Sequence, residues 1–268
     1  MDRQQHIRLA LSEDQYKKDI TTKILQLDKN CKAIIKAKES FHIYGLKWFS
    51  DVFKSANKST KIKLKVKDGD LVKKNMVIAE IYGTNHALLN SERVALNYLQ
   101  TMSGTYDKCI RFKKKITNKK IQLLHTRKTI PLYRLPLSEA CKAAGCAPHR
   151  YDLSSSILIK ENHLKLAAKP VDLIAKAIKK NKIVIVEAKT LKFAKTVSNL
   201  KISRILLDNF TPAMINNFIS NKPKVKIEIS GSVNLSNINK FAIKGVHYIS
   251  VGDLTKNIES KDLSMLIV

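Results

Sequence analysis

The sequence predicts an α/β protein in which a small antiparallel sheet precedes a βα repeat that forms a barrel short of the usual eight strands. Three observations carry that reading. From residue 32 to 83, short runs alternate apolar and polar residues around a Lys67-Asp68-Gly69-Asp70 turn, the period-two pattern of half-buried antiparallel strands. From residue 121 onward, six apolar runs recur at 121–124, 157–159, 183–186, 205–207, 225–229 and 248–251. The residues closing the last five, Lys160, Glu187, Asp208, Ser230 and Gly252, are spaced by 27, 21, 22 and 22 residues, the length of a strand, a helix and two turns in a parallel sheet.

Taken in order, residues 7–26 open as an apolar-periodic segment, and Asp19 with Thr21 and Thr22 suits a helix cap or turn. Strands are expected at 33–37, 62–66 and 76–81. The phrase VKDGDLVKKNMVIAEI resembles half of a lipoyl-type sandwich but has no lipoylation hairpin, so it reads as scaffold. Asn90 or Ser91 can cap a helix running to Met102 and ending near Gly104, with Ala95, Leu96, Leu99 and Met102 on one face. Arg93 then lies in the first turn, where a cation gains nothing from the helix dipole. It is either a solvated surface arginine or one placed for a ligand or a partner subunit. Residues 111–120 read as a basic linker. Among the repeats, Leu173, Ile174, Ala177 and Ile178 share one face after Pro170, and Thr211 can cap a helix opening at Pro212.

Bulk composition narrows the function classes. With 268 residues, one α/β barrel or two modest domains both fit. No run reaches the ~18 apolar residues of a membrane span, and acids interrupt any signal-peptide core in MDRQQHIRLALSEDQY. A soluble cytoplasmic protein is expected. Cys31, Cys109, Cys141 and Cys146 form no CxxC pair and read as free buried thiols. The formal charge of +28 raises nucleic acid as a partner. The lysines are spread along the chain, however, and aromatics, at 6%, do not interleave with basic runs as a stacking platform requires.

If the repeats form a barrel, the residues closing the strands share its C-terminal rim, where such barrels keep their chemistry. Between His125 and His163, Arg127, Lys128, Arg134, His149, Arg150, Lys160 and His163 recur with few acids, as in a pocket for an anion. Arginine forks bind carboxylates through paired hydrogen bonds, and His149 can hydrogen-bond or carry a proton. Glu187 and Asp208 either share a divalent cation, Mg²⁺ being completed by substrate phosphates and water, or each pairs with a lysine. Ser230-Gly231-Ser232 and Gly252-Asp253 are small-residue turns suited to a phosphate. Together these suggest glycosyl transfer from an activated ribose phosphate to a carboxylated ring.

The motifs LSED, DITT, SERVALNYLQTMSG, HTRKTIP, His149-Arg150, LIKENH, VEAK, LLDNF, EISGS and GVHYISVGDLT occur in that order over nearly the whole chain. In this the sequence resembles the quinolinate phosphoribosyltransferases. The resemblance implies an N-terminal α/β sandwich domain (1–106), an incomplete, open α/β barrel (107–255) and a C-terminal segment (256–268) returning to the first domain. It implies a homodimer in which Arg93 reaches the neighbouring site, with quinolinate near Arg127, His149, Arg150 and Lys160. Lys128 would contact phosphoribosyl pyrophosphate, Glu187 and Asp208 its Mg²⁺ and ribose hydroxyls, and Ser230, Gly231 and Gly252 its 5′-phosphate. Catalysis would fall to Lys128, Lys160, Glu187 and Asp208, giving nicotinate mononucleotide, pyrophosphate and CO₂ in NAD biosynthesis.

The chain departs from the family pattern at Leu132, Cys146, Ala147 and Ser232, where glycines are usual, and at Ser155, where an acid is. A Cβ disfavours positive φ, so these loops are expected to differ locally. Two other readings stand beside the first: a family relative with another acceptor, such as the phosphoribosyltransferase-like proteins associated with molybdate transport, and a basic nucleic-acid-binding protein. The paired acids Glu187 and Asp208 argue against the latter, because carboxylates repel a phosphate backbone.

Overall fold

The computed structural model describes residues 1–24, 29–180 and 182–268. These divide into two compact units, one of Met1–Lys108, Pro131–Ala144 and Ile258–Val268, the other of Cys109–Ile130 and Gly145–Asn257.

In the first unit, α1 (Arg3–Glu13) is started by Asp2, whose carboxylate accepts from the Gln5 N–H at 2.8 Å. Asp19 caps α2 (Ile20–Ile24) through the Thr21 N–H at 3.0 Å and the Thr22 hydroxyl. The expected opening segment is thus two helices, and its last residues, 25 and 26, lie outside the described ones. The strands are β1 (Asn30–Ala37), β2 (Phe41–His42), β3 (Lys61–Leu64), β4 (Leu71–Val72) and β5 (Val77–Thr84), with α3 (Leu46–Ala56) after β2. The C-terminal strand β13 (Leu263–Ile267) pairs antiparallel with β1, giving the order β13-β1-β5-β3, while β2 and β4 pair separately. Trp48, Phe49 and Phe53 of α3 are buried in the core of this unit with Phe41, Ile35 and Ile81, large apolar areas whose removal from water drives the packing.

The helix expected at 90–102 is instead α4 (Asn85–Lys115), 31 residues long, and it consumes the start of the supposed basic linker. Gly104 does not end it. A Cβ there would overlap the carbonyl oxygen of Glu259, so this glycine admits the backbone of the returning C-terminal segment rather than a left-handed cap. Arg93 accordingly lies well inside the helix, not in its first turn.

Residues 131–144, expected in the barrel, cluster with the first unit. The Trp48 indole N–H donates to Glu139 of α5 (Arg134–Ala143) at 2.7 Å, the Tyr133 hydroxyl lies 2.5 Å from Thr101 Oγ1, and Ala140 is in the same core. Leu132 keeps a left-handed φ of 61° despite its Cβ, because its carbonyl is held by the buried His6 ring at 2.8 Å. Left-handed backbone costs a non-glycine residue about 1–2 kcal/mol, and this side chain is 77% exposed, so little burial opposes the strain. Leu132→Gly is therefore expected to stabilise the protein by about 0.5–1 kcal/mol after the extra chain entropy of glycine, read as a rise of roughly 2 °C in melting midpoint.

The second unit is a seven-stranded parallel sheet in the order β7-β6-β12-β11-β10-β9-β8. Its strands are β6 (Gln122–His125), β7 (Ala147–Pro148), β8 (Ile157–Ile159), β9 (Val184–Ala188), β10 (Arg204–Asp208), β11 (Lys226–Ser230) and β12 (Tyr248–Val251). Six strands are those read from the sequence. The seventh, β7, is two residues long and pairs only with Leu124 and His125, too short to show a period. The edge strands β7 and β8 do not pair with each other, which makes the barrel an open one.

The connecting helices are α6 (Glu161–Leu166), α7 (Pro170–Ile178), α8 (Leu191–Ser198), α9 (Pro212–Ser220) and the single turn α10 (Asp253–Lys256). Thr211 caps α9 by accepting from the Met214 N–H at 3.3 Å, with Pro212 in the first turn, as its sequence suggested. The cysteines form no disulfide among the described residues; Cys109, Cys141 and Cys146 are buried, whereas Cys31 is only half-buried. No helix among the described residues is long and apolar enough to cross a membrane.

Candidate active site

Parallel strands in one register place their C-terminal residues side by side, and here those residues open onto a single cavity of about 770 Å³. Arg127, Lys128, His149, Arg150, Lys160, Glu187, Asp208, Ser230, Gly231 and Gly252 all line it. Glu187 pairs across the sheet with Leu206, and Asp208 lies two residues beyond Leu206, so the alternation of a strand turns both carboxylates to the same face.

The electrostatics of the cavity are those of an anion site. Burial lowers the Arg150 guanidinium pKa, and the neighbouring Arg127 lowers it further. Arg127 Nε is buried with no hydrogen-bond partner among the described residues. His149 is held neutral, its pKa pressed down to about 3 by burial and then by Arg204, Arg150 and Lys160. Cations gathered this closely destabilise one another until a ligand brings negative charge. At one edge of the cavity Lys160 Nζ lies 3.3 Å from Glu187 Oε2.

Across the cavity the backbone itself supplies donors. The N–H groups of Gly231, Ser232 and Val233 make no hydrogen bond among the described residues, and successive positive φ values of 97° at Gly231 and 50° at Ser232 turn the chain sharply there. The Asn237 side chain donates to the Ser232 carbonyl at 2.9 Å, which helps fix the turn. Ser232 adopts this left-handed conformation with its Cβ in place. Successive N–H groups in such a turn form a nest for a phosphate. After this turn the chain forms a short 3₁₀ turn at Ile238–Phe241. Opposite, the Thr255 hydroxyl donates to the Lys128 carbonyl at 2.9 Å, anchoring the segment that carries Arg127 and Lys128.

Three sequence candidates are not at the cavity. Arg134 begins α5 in the first unit. His163 has a structural task, its Nδ1 accepting from the Lys160 N–H at 3.0 Å. Arg93 is on α4, its side chain 62% exposed and 4.0 Å from Glu92. At the departures near the site, Ser155 closes an Asx turn through its N–H to Asp152 at 2.9 Å, and Gly145 before Cys146 and Ala147 retains a φ of 81°.

Glu228, Arg204 and Ser250 escaped the sequence reading. Glu228 is wholly buried beneath the cavity. The available signal was an acid inside an apolar strand run, which parallel strands covered on both faces rarely tolerate without a partner.

Comparison with known proteins follows this geometry closely. The family model described as "Quinolinate phosphoribosyl transferase, C-terminal domain" matches residues 107–266, and that of the N-terminal domain matches residues 19–103. The chain belongs to the quinolinate phosphoribosyltransferase family. A Bacillus subtilis member, the "Probable nicotinate-nucleotide pyrophosphorylase [carboxylating]", is 31% identical over 92% of this chain and 87% of its own length. The solved nicotinate-nucleotide pyrophosphorylase from Francisella tularensis is 32% identical, covers 100% of this chain and 98% of its own, and superposes with a TM-score of 0.90. The family enzyme from Ehrlichia chaffeensis superposes with a TM-score of 0.94 at 28% identity, with 100% and 99% covered. The mixed α/β fold with an open parallel barrel is thus the family fold.

Proposed function

We propose that this protein transfers phosphoribose from phosphoribosyl pyrophosphate to quinolinate, with decarboxylation, to give nicotinate mononucleotide. The observation that carries the proposal is the polarity of the cavity, with crowded Arg127, Arg150 and Lys160 at one part and the free N–H groups of residues 231–233 at another. Such a cavity matches an aromatic dicarboxylate beside a phosphorylated sugar.

In this reading Arg127 and Arg150 clamp the two quinolinate carboxylates, with Lys160 and His149 beside them, holding the ring nitrogen in line with the anomeric carbon. The Ser230-Gly231 turn and Gly252 hold the 5′-phosphate. The ring nitrogen forms the new bond to that carbon while the bond to pyrophosphate breaks, its electron pair leaving with pyrophosphate, whose charge Lys128 would offset. The ring nitrogen is then cationic. The adjacent carboxylate departs as CO₂, its electron pair left on the ring carbon next to that cation, and a proton fills the position.

Glu187 and Asp208 supply two hard oxygen donors on one face, a set that fits Mg²⁺ completed by substrate oxygens and water. When bound there, Mg²⁺ would neutralise charge on the pyrophosphate. Lys160 Nζ lies 3.3 Å from Glu187, so it would stand between the metal ligands and the dicarboxylate. The exposure of Arg93 supports a homodimer in which it completes the neighbouring site.

The test is direct. Purified protein incubated with quinolinate, phosphoribosyl pyrophosphate and Mg²⁺ is expected to release nicotinate mononucleotide and CO₂ in equal amounts. No product from folded protein, or faster turnover of a different acid, would overturn the assignment of quinolinate as acceptor.

A further inference from the structure

Beneath the cavity lies a charged cluster that the reaction as described does not use. Glu228 on β11 exposes none of its surface. Its Oε2 lies 3.0 Å from Arg204 Nη1, its Oε1 accepts from the Ser250 hydroxyl, and the same Oε1 is 3.3 Å from His149 Nε2. Arg204 also reaches the His149 carbonyl at 3.5 Å and lies over the Tyr248 ring at 4.7 Å. A buried carboxylate costs several kcal/mol unless it is paired and hydrogen-bonded. A purely structural ion pair would be satisfied by Arg204 and Ser250. Here two members of the cluster converge on one cavity residue, Glu228 on the imidazole of His149 and Arg204 on its backbone.

We propose that Glu228, backed by Arg204, is a positioning residue that fixes the ring of His149, holding a proton at Nε2 and leaving Nδ1 as the nitrogen that meets the ligand. A carboxylate behind a histidine is the usual device for setting its tautomer and orientation. At 3.3 Å the two atoms stand in close contact rather than in a well-aligned hydrogen bond, and such contacts tighten when a ligand arrives. The charge balance agrees. His149 is kept neutral by burial first and by Arg204, Arg150 and Lys160 next. A dicarboxylate neutralises Arg150 and Lys160, which relieves part of what lowers the His149 pKa.

The inference rests on the reading of the cavity as a quinolinate site, and the experiment separates the two. Glu228→Gln, which keeps the size and removes the charge, is made in the parent protein and in His149→Ala. A residue acting through His149 is expected to cost kcat/KM for quinolinate roughly 10–100-fold in the parent and less than about twofold when His149 is absent, because the effects of coupled residues do not add. The KM for phosphoribosyl pyrophosphate is expected to stay unchanged. Equal losses in both backgrounds would show a structural ion pair and overturn the proposal, as would no loss in the parent.

Nitrogen NMR of the ring in the unsubstituted protein gives a readout independent of turnover and of how the variants fold. An exchange-protected N–H at His149 Nε2 is expected, and an unprotonated Nε2 would overturn the proposal. Absence of product from the unsubstituted protein would instead refute the quinolinate reading, with the NMR result still deciding the role of Glu228.

Discussion

Arg150→Ala is expected to lower kcat/KM for quinolinate by roughly two to three orders of magnitude, the loss of about 3–4 kcal/mol that follows removal of a cation from a desolvated charge pair with its ligand. The same change is expected to leave the melting midpoint of the ligand-free protein no lower. In the cavity Arg150 is pressed by burial and by the charge of Arg127, so truncating it relieves repulsion between like charges. What the variant loses is the rise in melting midpoint on adding quinolinate, because a ligand stabilises only through its affinity for the folded state. Arg150→Lys restores the charge without the planar fork and is expected to recover only part of the loss. Steady-state kinetics and thermal melts with and without quinolinate check both halves. An Arg150→Ala protein that melts much earlier without ligand would mean the residue supports the fold instead.

Gly231→Ala is expected to raise the KM for phosphoribosyl pyrophosphate by roughly a hundredfold and to destabilise the protein by about 2–3 kcal/mol, the scale of overpacking joined to backbone strain. Gly231 has a φ of 97°, and a Cβ there would overlap the Asn209 side-chain oxygen and come within 2.7 Å of the Asn209 backbone nitrogen. That backbone nitrogen already donates to the Ser230 carbonyl at 2.8 Å, so neither side can withdraw without breaking the link between β10 and β11. The turn must move, and its free N–H groups move with it. The adjacent Ser232→Gly serves as the control. Its φ of 50° is one that glycine adopts freely, so it is expected to keep the KM and raise stability slightly. Two neighbouring substitutions of opposite sign distinguish a backbone phosphate nest from a site made by side chains.

Much of this is legible in the sequence. The spacing of Lys160, Glu187, Asp208, Ser230 and Gly252 exposed the βα repeat because each strand must reach the same rim, and a charge or a glycine at a strand end interrupts an apolar run. Those five residues do line one cavity, together with Arg127, Lys128, His149 and Arg150. Arg134 and His163 looked equivalent by composition, since a cation in a basic stretch carries no mark of its direction. Only the packing of α5 into the first unit and the hydrogen bond from Lys160 separated them from the site.

The sequence by itself therefore determined what periodicity and residue type can encode: alternating strands, amphipathic helices, the Thr211 cap and the rim chemistry. These are local rules, acting over a few residues. The tertiary structure decided whatever depends on residues distant in sequence. Gly104 looked like a helix end and proved to be the point where Glu259 crosses. Leu132 and Ser232 looked incompatible with left-handed backbone and are kept there, with the His6 ring and the Asn237 amide as partners. Glu228 looked like one polar letter in a strand, yet Arg204, Ser250 and His149 meet on it from three other parts of the chain. A buried charge is tolerated only where such distant partners converge, and no window of sequence contains that convergence.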